Sequence, residues 1–162
     1  MEGLLDTEEE IAHEITDYER ERGKPMPSFN HSETQLNVIA QVLQFPDFKP
    51  YPELDLELGG ERSVPDVAVF RKQTASTLKG IIRVTVPPLF TIEILSPGQG
   101  LTSLFDKAAL YLQNGVEEAW ILIPEIQSIT VCKPGGLQKT FVEGSVTHES
   151  TGITVDITKT FR

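Results

Sequence analysis

Two apolar runs that each carry a single acid constrain this chain more than any other feature. One is VPDVAVF, residues 64–70, with Asp66; the other is LFTIEILS, residues 89–96, with Glu93. An isolated carboxylate inside an apolar strand is costly to bury unless it is paired or holds a metal. Both runs read as strands. Residues 64–70 are rich in β-branched side chains, and residues 90–95 lie between Pro87-Pro88 and Ser96-Pro97-Gly98. Side chains alternate along a strand, so Asp66 shares a face with Val64 and Ala68, and Glu93 with Thr91 and Leu95. If these strands are neighbours, the two carboxylates converge. Oxygen donors of this kind suit Mg²⁺ or Mn²⁺.

The following segment supplies a cation. Residues 103–114 have helical spacing, with Leu101, Leu104, Phe105, Ala108, Tyr111 and Leu112 forming one apolar face and Gly115 as the stop. At 3.6 residues per turn Asp106 falls opposite that face. Lys107 falls at its edge, from where it can reach inward to the strand ends.

These residues resemble the PD-(D/E)XK nucleases, which have the restriction-endonuclease-like fold. The closer resemblance is to the bacterial Uma-type putative restriction endonuclease family, a domain of unknown function. It rests on Pro65-Asp66, on Glu93-Ile94-Leu95-Ser96-Pro97, on Lys107 and Tyr111, and on Gly115-Val116-Glu117-Glu118-Ala119-Trp120, with GKPMPSFNHS (residues 23–32) upstream. The ordered set covers nearly the whole chain. The resemblance implies an α+β fold: a restriction-endonuclease-like core with a central mixed sheet flanked by helices, followed by C-terminal antiparallel strands. It further implies one domain over 1–162, with an accessory region at 1–28, a core at 29–124 and a strand extension at 125–162. By the same resemblance, Asp66 and Glu93 hold Mg²⁺ or Mn²⁺, Lys107 is the catalytic lysine, and the substrate is nucleic acid, DNA first. Many nucleases of this fold also use a first-helix glutamate as a metal ligand, here Glu33, and many are homodimers. Two positions depart from the pattern. Leu95 stands where the broad nuclease pattern has its lysine, and Ser103 stands where the family often has an acid.

The chain's 162 residues suffice for one domain with a sizeable core. No run is of transmembrane length, the N-terminus is acidic rather than signal-like, and the one cysteine, Cys132, fits a reducing cytoplasm as a buried, inert thiol. Net charge is −10, which argues against avid non-specific binding to nucleic acid. The charge is uneven, however. Residues 67–92 contain no acid but carry Arg71, Lys72, Lys79 and Arg83. This basic segment is either a phosphate-contacting loop beside the acids or a solvated hairpin.

In chain order, a capping box at Thr7-Glu8-Glu9-Glu10 predicts a short helix over 7–16. A second, Ser32-Glu33-Thr34-Gln35, predicts a core helix to about residue 44, with Glu33 favouring its positive end. His31 either touches a phosphate or belongs to the helix entry. Residues 46–52 read as a loop. Residues 53–58 alternate as a half-buried strand with Gly59-Gly60 as its turn, and Glu53 or Asp55 is a minor candidate to approach Asp66. Residues 118–123, 128–133, 137–142 and 153–157 read as strands. There is no Walker-type loop, no G-x-G-x-x-G and no zinc spacing.

The leading expectation is a metal-dependent nuclease. The alternative is a catalytically degenerate relative that binds or oligomerises, and a third possibility is action on a small phosphate ester.

Overall fold

The computed structural model of the protein describes residues 17–22 and 24–162; the helix expected over 7–16 lies outside them. A short helix, α1 (Asp17–Arg22), precedes an irregular stretch through Pro25 and Pro27. Helix α2 (Phe29–Val42) follows. It starts one turn before the expected capping box. Ser28 is the N-cap, and its Oγ accepts the His31 amide at 3.1 Å. The two prolines disfavour helix before Ser28, so its hydroxyl is the first side chain placed to satisfy the helix's orphan amides.

Residues 46–52 are not all loop. Strand β1 (Phe48–Pro52) runs antiparallel to β4 (Val67–Arg71) at the edge of the sheet. An edge strand tolerates Pro50 and Pro52, because only one side of its ladder needs donors. Between β1 and β4 sits a hairpin of β2 (Leu56–Leu58) and β3 (Glu61–Ser63). Gly59 and Gly60 form its turn, with φ of 60° and 78°, a left-handed pair that glycine adopts without strain. The expected strand over 53–58 is thus shortened to its last three residues.

Strand β4 leads through a short helix, α3 (Lys72–Ser76), and a loop into β5 (Phe90–Ile94). Helix α4 (Leu101–Gln113) then crosses over to β6 (Glu118–Ile123), which pairs parallel to β5. Gly115, at φ 97°, ends the helix as expected. A 3-10 turn at Pro124–Ile126 leads to β7 (Ser128–Lys133) and β8 (Leu137–Phe141). The six-stranded mixed sheet has the order β1-β4-β5-β6-β7-β8. A separate ribbon of β9 (Ser145–Thr147) and β10 (Thr154–Asp156) leads into α5 (Ile157–Thr160).

The alternation of each strand divides the core between the two faces of the sheet. On one face Val67, Val69, Ile92 and Trp120 pack with Val38 and Val42 of α2 and with the ribbon's Val146 and Val155. On the other, Ala68 and Phe70 pack with Tyr111 of α4, while Leu104 and Ala108 cover Ala119, Ile121 and Cys132. Cys132 is buried, and burial raises its thiol pKa. None of the helices among the described residues is long and apolar enough to cross a membrane.

Candidate active site

The β4–β5 register pairs Val67 with Ile92, so Asp66 and Glu93 stand opposite one another one step further on. Both are buried. Asp66 lies just before β4, and its Oδ2 accepts the Ile94 amide at 2.7 Å, extending the ladder with a side chain. The same oxygen is 3.1 Å from Nε2 of His31. Oδ1 accepts Lys24 Nζ at 2.5 Å. Burial alone raises the Asp66 pKa, but the His31 hydrogen bond and the Lys24 ammonium outweigh it and hold the carboxyl well below the usual range.

Glu93 is held differently. Its Oε1 is 3.1 Å from Lys107 Nζ and accepts the Tyr111 hydroxyl at 3.1 Å. Tyr111 spends its one proton on Glu93, so Ser63 Oγ, 2.7 Å away, donates to the phenol oxygen. Lys107 also donates to the Val64 carbonyl at 3.3 Å. Glu93 Oε2 is buried with no hydrogen-bond partner among the described residues. Burial raises the Glu93 pKa; Lys107 opposes this and Asp66 adds to it. Burial and the Glu93 charge raise Tyr111 well above the usual phenol value, which keeps it a donor.

Two further groups complete the cluster. The Lys24 ammonium also lies 3.4 Å from Glu53 Oε2. Burial lowers its pKa, but Glu93, Asp66 and Glu53 together more than offset this, and the net shift is upward. Glu53 has φ 54°, a left-handed kink that ends β1 and breaks the expected alternation. Gln35 ties the turn together, donating to Glu53 Oε1 at 3.2 Å and to the Asp66 carbonyl at 2.8 Å.

Asp66, Glu93 and Lys107 therefore converge, as their pattern implied. Glu53 joins them through Lys24, whereas Asp55 pairs with Arg62 at 3.0 Å and Arg83 at 3.6 Å. Glu33 does not join: among the described residues no hydrogen bond or ion pair links it to the acids. With the helix starting at Phe29, His31 and Gln35 fall one turn apart on the side facing Asp66, and Glu33, two residues from each, points elsewhere. Arg71 and Lys72 of the basic segment do not lie beside the acids either. Arg71 ends β4 five residues beyond Asp66, about 17 Å along the strand. Lys72 follows it, Lys79 is exposed in the α3–β5 loop, and Arg83 is engaged with Asp55. Sequence reading gave no role to Lys24, gave Gln35 only a place in the expected capping box, and left His31 undecided. The i, i+4 spacing of His31 and Gln35 carries that signal once Ser28 is recognised as the cap.

The donor set suits a hard divalent cation. Glu93 Oε2 is a buried carboxylate oxygen without a hydrogen-bond partner among the described residues, and Asp66 stands opposite Glu93 in the register. No three His, Cys, Asp or Glu side chains among the described residues are arranged to hold an ion by themselves. Two carboxylates with water and substrate oxygens are the usual Mg²⁺ arrangement.

The chain is similar to a solved structure described as a putative nuclease belonging to DUF820 from Anabaena variabilis ATCC 29413. The TM-score is 0.77 and the identity 25%, over 85% of this chain and 83% of that one. No curated protein matches the chain. Residues 2–158 match the family described as Uma2, putative restriction endonuclease. Opposed acids on adjacent strands, a lysine from the crossover helix and this match together place the chain in the Uma2 putative restriction endonuclease family.

Proposed function

We propose that the protein is a Mg²⁺- or Mn²⁺-dependent nuclease that hydrolyses phosphodiester bonds, with DNA as its substrate. One observation carries this reading: Glu93, opposite Asp66 in the sheet register, has a buried oxygen with no hydrogen-bond partner among the described residues and a lysine 3.1 Å from its other oxygen. Asp66 and Glu93 would hold the ion. When bound, it supplies charge neutralisation at the scissile phosphate and a more acidic water. The chain's own residues do the rest. His31 and the Ile94 amide fix the Asp66 carboxylate, and Tyr111 fixes Glu93. Lys107 is held between Glu93 and the Val64 carbonyl, where its ammonium orients the attacking water and stabilises charge developing on phosphate oxygens. Arg71 and Lys72, about 17 Å along β4, suit flanking phosphates of a polymer rather than the scissile one.

The test is cleavage of plasmid DNA with Mn²⁺ or Mg²⁺. Wild type should nick it, EDTA should stop the reaction, and Asp66→Ala should abolish it. Cleavage that survives Asp66→Ala would sink the assignment. Binding to polymeric DNA should also weaken steeply with salt; binding indifferent to salt would point instead to a small phosphate ester.

A further inference from the structure

Lys24 is an unusual residue to find at a divalent-cation site. Its side chain is 4% exposed, and its ammonium touches Asp66 Oδ1 at 2.5 Å and Glu53 Oε2 at 3.4 Å. Asp66 Oδ2 is already occupied by His31 and the Ile94 amide, so Oδ1 is the oxygen that Asp66 has to offer an ion. Lys24 sits on that oxygen. Two cations cannot share it comfortably: a metal and an ammonium bound to one carboxylate oxygen lie a few ångströms apart and repel strongly in a buried setting. The surroundings explain why a cation is there at all. Asp66, Glu93 and Glu53 bring three carboxyl groups together around it, and Lys107 is committed to Glu93 and Val64. Without Lys24 the acids would repel one another whenever no ion was bound.

We propose that Lys24 is a tethered counter-cation that occupies the Asp66 side of the divalent-ion site and must leave it when the ion binds, thereby setting the site's metal affinity. The inference rests on the divalent-ion reading given above. Lys24 reaches Asp66 from 42 residues away in sequence, on the irregular stretch ahead of α2 rather than from a strand or helix of the core. Glu53, 3.4 Å away, is its second partner.

Calorimetric titration with Mn²⁺ tests this on the full chain. Lys24→Met should bind Mn²⁺ about tenfold or more tighter than wild type, within the usual range for coupled sites. Lys24→Arg, which keeps the charge, should bind no tighter than wild type. A second measurement needs no variant: acetylation of Lys24 by acetic anhydride, read by mass spectrometry, should rise severalfold when Mn²⁺ is added to wild type. Equal Mn²⁺ affinity in wild type and Lys24→Met, or weaker binding in the variant, overturns the proposal and leaves the metal site standing. Acetylation of Lys24 that Mn²⁺ leaves unchanged or suppresses overturns it too. Absence of Mn²⁺ binding in both wild type and Lys24→Met overturns the proposal together with the divalent-ion reading.

Discussion

Replacing Asp66 by asparagine, without metal present, probes the charge arrangement at the site directly. The substitution preserves volume, and the remaining carbonyl oxygen can still accept the Ile94 amide now bonded at 2.7 Å. What it removes is the negative charge 2.5 Å from a lysine whose side chain is 4% exposed. Breaking one half of a buried ion pair costs about 3–5 kcal/mol, because the remaining charge stays desolvated. Glu53, 3.4 Å from Lys24, offsets part of this and places the expected loss near the lower figure. A domain's whole stability is about 5–15 kcal/mol, so the variant should fold yet be heat-labile. At roughly 2–4 °C per kcal/mol, melting should fall by about 6–12 °C. The assay is equilibrium urea unfolding in EDTA of wild type, Asp66→Asn, Lys24→Met and the double variant. The pair should show a coupling of about 1–3 kcal/mol, the double variant being less damaged than the sum of the singles. Additivity within about 0.5 kcal/mol would refute the reasoning.

Other perturbations test neighbouring parts of the structure. Tyr111→Phe removes the hydroxyl that Glu93 accepts at 3.1 Å and that Ser63 meets at 2.7 Å, and urea unfolding should show a loss of about 1.5–3 kcal/mol; a change under about 0.5 kcal/mol would mean that the hydroxyl does not hold Glu93. His148 is fully buried, stacked 4.4 Å from Phe90, with Nε2 3.7 Å from Glu117 and 3.9 Å from Glu118. Burial outweighs the pull of those glutamates and lowers its pKa, so the unfolded chain takes up this proton first. Its contribution to stability is therefore present above about pH 6.5 and lost as pH falls toward the lowered value. Urea midpoints at about pH 7.5 and about pH 5.5 should differ less in His148→Asn than in wild type, and an equal difference would remove His148 from the account. Gly115→Ala forces a Cβ onto a residue at φ 97° and within 3.3 Å of Pro87 Cγ, so it should cost about 1 kcal/mol or more in thermal unfolding; a neutral result would contradict the role given to the helix stop.

The parts of the site legible in the sequence are those written in local patterns. An acid inside an apolar run marks itself, as Asp66 and Glu93 do, and the helical period of α4 places Lys107 at the edge of its buried face. Strands β6 and β7 were readable because continuous apolar runs bounded by turn residues leave little alternative. The rest depends on information that no short window holds. Lys24 acts on a residue 42 positions away. His31 and Gln35 share a face only when the helix starts at Ser28, and the stronger-looking capping signature at Ser32 shifts attention to Glu33. Glu53 turns into the cluster through a left-handed backbone kink that an alternating strand pattern hides. Strand β1 was obscured by Pro50 and Pro52, which the edge position permits. The placement of Arg71 and Lys72 away from the acids follows from strand direction: Asp66 precedes β4 and the basic segment follows it.

Crystals soaked in Mn²⁺, with diffraction collected at the manganese edge, would show whether Asp66 and Glu93 form a divalent-ion site. The expected result is an anomalous peak in contact with Asp66 and Glu93, and the Lys24 ammonium withdrawn from Asp66 Oδ1. A peak elsewhere, or none, with Lys24 still seated on Asp66 at saturating Mn²⁺, would contradict it.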